Sequence, residues 1–231
     1  MKYLLPLLVV TLTFSCQTNT SKQVGQTSTS APETTSLRHQ TDTLLNTQDY
    51  LILGNTSSEV EVIKTNQMRD YSGFEVLAEY EDDLILGKAV SRDQLSLFRK
   101  FNPTATFEDY SVEVYQGALA EPDFSTAPDA KAFESRIKDA CNNGINFAGH
   151  YTLVIWGCGA PCQTGVVVNR KTGEIIEGYQ TSLGSEFRKD SKLIIMNSAA
   201  IDPNTNLIEI CSYCTVSEQV WNGKGFDIKQ K

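Results

Sequence analysis

Short runs of period-two hydrophobicity, each closed by turn-forming residues, constrain this chain more than any other feature. Glu59-Val60-Glu61-Val62-Ile63-Lys64 alternates polar and apolar side chains, as a strand with one buried face must. Residues 74–80 and 83–90 flank Glu81-Asp82, which reads as a hairpin turn, and residues 111–115 are a further strand candidate. Residues 147–156 form a longer run rich in aromatic and β-branched side chains. Residues 165–168 and 174–177 bracket a turn over 169–173, with Gly173 free to take positive φ. Residues 192–196, 207–210, 217–221 and 226–229 supply further strands, and Asn222-Gly223 marks the last hairpin.

Helical pattern is confined to two places. Ser91 is an N-cap candidate for a short helix over residues 91–99. The main helix occupies residues 130–141, where Phe133, Ile137, Ala140 and Cys141 fall at helical spacing and Asn143-Gly144 ends the run. The expected class is α+β: one main helix followed by a mostly antiparallel β meander, residues 121–231, preceded by a β-rich acidic module, residues 47–120. About 185 residues are available for this, enough for one large domain or two small packed ones. Neither an internal repeat nor a glycine-rich phosphate loop is visible.

The N-terminus is written differently. Lys2 brings a positive charge, residues 4–14 are apolar apart from Pro6 and two threonines, and Ser15-Cys16 follows. Such a run is too short to cross a bilayer, since a spanning helix needs about 20 apolar residues. The order of charge, short apolar segment, small residue and cysteine is that of a bacterial lipoprotein signal. Residues 1–15 are then removed, and Cys16 becomes the lipidated, palmitate-bearing first residue that holds the chain to a cell-envelope membrane. Thr13 and Phe14 depart from the usual pattern, and an ordinary signal peptide cut nearby is the plainer alternative. Residues 16–46 are rich in Thr, Ser and Gln and too polar to offset the entropy of ordering. They read as a disordered tether of roughly 30 Å mean span, with His39 as a solvated member.

Charge narrows the partners. Residues 47–120 carry 13 acidic against 6 basic side chains, and residues 121–231 carry 13 against 11. The first stretch thus holds most of the net charge of −8, a field that repels nucleic acid. Glu79, Glu81, Asp82 and Asp83 could draw a divalent cation, although acidic residues crowd exposed turns in any case. No cofactor and no metal site is expected.

Beyond Cys16 there are five cysteines, Cys141, Cys158, Cys162, Cys211 and Cys214. In an exported chain the two close pairs are expected as disulfides, with three pairings open. A turn through Gly159-Ala160-Pro161 can bring Cys158 to Cys162, whereas a bridge from Cys211 to Cys214 demands a bend. Cys141, on the apolar helix face, reads as a buried free thiol. Three sharper chemistries compete with this. Cys211-Ser212-Tyr213-Cys214 could be a redox dithiol, but no helix N-terminus follows to lower a thiol pKa. The four cysteines could hold zinc. His150 could deprotonate Cys158 or Cys162 as a nucleophile, which makes these three the catalytic candidates. Alternation puts Phe147, Tyr151, Leu153 and Ile155 on one face and His150, Thr152, Val154 and Trp156 on the other, less apolar one.

Phe133-Glu134-Ser135-Arg136, Asn146-Phe147-Ala148-Gly149-His150-Tyr151-Thr152, Trp156-Gly157-Cys158-Gly159, Cys162, Lys171-Thr172-Gly173 and Val220-Trp221-Asn222-Gly223 form a set. In them the chain resembles a group of exported bacterial proteins of uncharacterised activity. The resemblance covers residues 127–231 and carries no catalytic role. It implies only that the His150 and Cys158/Cys162 regions belong to a recurrent pattern.

These readings converge on a cell-envelope lipoprotein that carries a non-enzymatic binding or interaction module for an envelope protein or small ligand. A hydrolase or thiol enzyme centred on His150 and the Cys158/Cys162 turn is the alternative.

Overall fold

Fourteen strands and one α-helix make up the computed structural model, which describes residues 41–55, 57–67 and 71–229. The expected signal segment, Cys16 and His39 lie outside these residues. The early strands are β1 (Asp42–Asn46), β2 (Tyr50–Gly54), β3 (Glu59–Lys64), β4 (Glu75–Tyr80), β5 (Asp83–Lys88) and β6 (Ser96–Lys100). A 3-10 stretch, Pro128–Phe133, leads directly into α1 (Glu134–Asn142). Then come β7 (Tyr151–Gly159), β8 (Cys162–Asn169), β9 (Ile175–Thr181), β10 (Ser185–Phe187) and β11 (Leu193–Met196). The last three are β12 (Leu207–Glu209), β13 (Ser217–Trp221) and β14 (Phe226–Ile228). Every ladder between them is antiparallel, so the class is α+β.

The strands do not run as one meander. They form four sheets with orders β1-β2-β6-β12, β3-β5-β4, β7-β8-β9 and β10-β11-β13-β14. Only β7-β8-β9 follows the chain strand by strand. The stretch between β11 and β13 leaves its neighbours and lays β12 on β6, pairing Ile208 with Arg99. That pairing stitches the C-terminal residues to the acidic ones, and Gln40–Lys231 cluster as one unit.

Four apolar clusters lie in series between these layers. Ile52, Tyr50, Leu97 and Ile85 fill the space between the first two sheets. Leu193, Ile195, Ile208 and Val216 join β11 and β13 to β12. Ile194, Met196 and Trp221 pack on Phe147, Leu153, Val167 and Tyr179. Val154, Trp156, Val166, Val168 and Ile175 meet Ile137 and Cys141 of α1. Leu193-Ile194-Ile195-Met196 is apolar at every position because β11 is buried on both faces. The same holds for β7. The alternation read from its sequence is correct, and the face carrying Thr152, Val154 and Trp156, expected as the less apolar one, is covered by the helix and buried.

Other expectations are corrected. Asp42–Asn46, placed in the tether, form β1, because Leu44 and Leu45 pack against the cluster around Ile52. The helix expected over 91–99 is a single 3-10 turn, Arg92–Gln94, closed by a Ser91/Gln94 capping box. After it Leu95 and Leu97 are both buried, a period of two that makes a strand. Residues 111–115 form no strand. Apart from the bridge of Ser111 to Ser191 they run as a strap, with the Val112 N–H donating to Asp190 O and the Tyr115 N–H to Gly149 O.

Polar groups are buried where they join layers. Tyr50 Oη donates to Asp83 Oδ2 (2.7 Å), and Lys64 Nζ lies 2.6 Å from Asp83 Oδ1. Burial and this carboxylate hold the Tyr50 hydroxyl well above its ordinary pKa. Asp83 is therefore committed to structure rather than free to bind a cation. Arg170, 3% exposed, is the deepest described cation. Its Nε donates to Ala120 O (3.1 Å) and its Nη1 to Cys141 O and Thr152 Oγ1. Cys141 sits in the last turn of α1, where a cation complements the helix dipole. Arg170→Met is expected to leave the Ala120 carbonyl unmet, at about 1–3 kcal/mol, and to take one donor from the Cys141 carbonyl, which still accepts from the Gly144 N–H (3.0 Å). Urea titration should show a loss of about 1–4 kcal/mol; an unchanged midpoint would refute this role.

Candidate functional site

The structure closes Cys158 with Cys162 and Cys211 with Cys214, at Cα separations of 5.1 and 5.2 Å. The bend required for the second bridge is a turn after β12, within which the Cys214 N–H donates to Cys211 O. With all four sulfurs bonded, none is a thiolate for zinc or for attack on a substrate, and a redox dithiol at Cys211 and Cys214 would stand here in its oxidised form. Among the described residues no group of three or more His, Cys, Asp and Glu is placed to hold a metal ion. Cys141 is the free cysteine there, and burial pushes its thiol pKa up despite nearby Arg170.

His150 and Cys158 are not brought together. His150 precedes β7 and Cys158 lies near its far end, so an extended strand puts more than about 20 Å between them. His150 instead forms part of a structural corner. Its carbonyl accepts from the Arg170 N–H (2.8 Å), and its ring lies 4.2 Å from that of Tyr151. Burial, then the charges of Lys171 and Lys192, lower its pKa.

The neighbouring signature residues serve the same corner. Asn146 grips β7, its Oδ1 accepting from Leu153 N–H (2.7 Å) and its Nδ2 donating to Leu153 O (2.9 Å). Phe147 is fully buried. Ala148 and Gly149 take φ values of 45° and 82°, and a Cβ at Gly149 would come within 2.7 Å of Glu113 O. Glycine is needed there for both reasons. The Asn-Phe-Ala-Gly-His-Tyr segment is thus explained by packing.

Four other signature residues, Phe133, Trp156, Gly157 and Cys158, converge elsewhere. The helix-side face of β7–β9 carries the row Val154, Val166 and Glu177, with Trp156 and Thr164 paired beside it. The 3-10 stretch before α1 covers only part of this face. Phe133, its last residue, stacks on Trp156 with ring centroids 4.3 Å apart and planes 24° from parallel. Beyond the stack opens a groove of about 300 Å³, lined by Phe133, Trp156, Gly157, Cys158, Asp129 and Glu177 among others. A Cβ at Gly157 or at Gly178 would meet nothing within 4 Å, so open space lies beside both. The Cys158–Cys162 bridge stands at the rim and ties the ends of β7 and β8.

Reading the residues one by one missed this groove, because its parts come from the 3-10 stretch, β7, β8 and β9. The available signal was that Phe133 and Trp156 both belong to the signature set. Comparison with family models, curated proteins and solved structures finds no match for the chain.

The lowered His150 pKa carries a sign. The unfolded chain takes up the proton first, so acidification below the ordinary histidine range, about 6.5, costs stability through this residue. NMR titration of the imidazole should give a midpoint below that value; a midpoint above it would contradict the buried, lysine-flanked setting.

Proposed function

We propose that this chain is a cell-envelope lipoprotein, anchored to a membrane through lipidated Cys16, whose folded part is a non-enzymatic binding module for an envelope protein or small ligand. The anchor reading is supported by the order of charge, short apolar run, small residue and cysteine over residues 1–16. No helix among the described residues is long and apolar enough to cross a membrane. The observation that carries the binding reading is the groove itself: an aromatic stack and open glycine positions beside a sheet buried on its other face. The competing thiol enzyme needs a free Cys158 or Cys162 beside His150, and that arrangement has a disulfide and a strand's length against it.

One mass-spectrometric experiment on protein purified from membranes tests both parts. Alkylation of the native protein followed by non-reducing digestion should return the two bridged peptides, with Cys141 labelled only after unfolding. The N-terminal peptide should begin at Cys16 and carry diacylglycerol and acyl mass. An unlipidated chain recovered from the soluble fraction would overturn the anchor, and rapid native labelling of Cys158 or Cys162 would overturn the binding module in favour of the enzyme.

A further inference from the structure

The groove beside Phe133 has a charge pattern that selects a ligand. Phe133 is 40% exposed although it is a large aromatic residue, and its stacking on Trp156 extends one continuous π surface from core to solvent. Asp129 and Glu177 complete the lining, and no basic side chain belongs to it. Three exposed carboxylates elsewhere do have cations at hand: Glu134 has Lys138 (2.6 Å), Glu108 has Arg188 (2.7 Å) and Glu59 has Lys88 (3.2 Å). The carboxylates of Asp129 and Glu177 have neither an ionic nor a hydrogen-bonding partner among the described residues.

An aromatic surface and two unneutralised carboxylates around one space favour the same kind of guest. An organic cation presents C–H surface to the ring and charge to the carboxylates. An anion would be repelled. A bare divalent ion would need several oxygen ligands, for which rings and glycines are no substitute. We propose that this groove binds a small aliphatic ammonium ion, primary or quaternary. The inference rests on the binding-module reading and assigns that module its ligand class.

Two tryptophans make the test direct, since Trp221 is 2% exposed in the core while Trp156 borders the groove. The full-length protein in detergent is titrated with 1,5-diaminopentane and with choline, following tryptophan fluorescence and the Trp156 indole NMR resonance. Saturable changes are expected, weakening as salt rises. Asp129→Asn and Glu177→Gln should each weaken binding about tenfold, and Phe133→Ala should do the same, with a modest fall in melting temperature from the lost stack on Trp156. Neutral 3,3-dimethylbutanol, which matches the shape of choline's head, should give no saturable response. Absence of saturation with either amine, or equal binding of the neutral alcohol, would overturn the ligand assignment. With the native thiols still closed, that outcome would leave the module reading standing; labelled Cys158 or Cys162 would remove the reading itself.

Discussion

Burial of the β7–β8 hairpin on both faces is the constraint from which the rest of the structure follows. On one face Leu153 and Val167 pack under Ile194, Met196 and Trp221; on the other Val154, Val166 and Val168 pack under α1. A strand pair enclosed in this way needs every buried backbone polar group met, by a ladder partner or by a side chain. β8 meets this by pairing with β7 on one side and β9 on the other. It also needs its ends held, since the flanking turns reach solvent. Asn146 and the left-handed Ala148-Gly149 corner hold one end, and the Cys158–Cys162 bridge holds the other.

The groove is a by-product of that enclosure. The 3-10 stretch and α1 cover the sheet from Val168 and Ile175 as far as Trp156 and stop short of Glu177. Phe133 caps the Trp156 ring by stacking, which protects it to 8% exposure while leaving the Phe133 ring itself in contact with solvent. A rigid sheet, a fixed aromatic stack and a disulfide at the rim give a recess whose walls do not have to be ordered when a ligand enters, and preorganisation of this kind favours binding.

Strands with one buried face were legible from alternation, as at Glu59–Lys64, and the helix was legible from Ile137 and Cys141 at helical spacing. What escaped was set by contacts distant in sequence. Leu44 and Leu45 look solvated in a polar tract until the cluster around Ile52 is present to receive them. Ser91 announces a helix start, and the turn it caps ends at once because burial of Leu95 and Leu97 outweighs local helical preference. Separation of the sheets was illegible for the same reason: the pairing of β12 with β6 joins residues more than a hundred positions apart. Of the site, His150, Cys158 and Cys162 were visible as residue types. That two of them are bonded to each other and the third lies a strand's length away depends on register, which no local spacing carries.

Native-state hydrogen exchange tests the central role of this hairpin most directly. If β7 and β8 are the enclosed centre of the fold, the amides of Val154, Val167 and Val168 should exchange only through global unfolding, with the same free energy as urea denaturation. Exchange of these amides through local opening, at free energies well below that of the β11 and β13 amides, would contradict it.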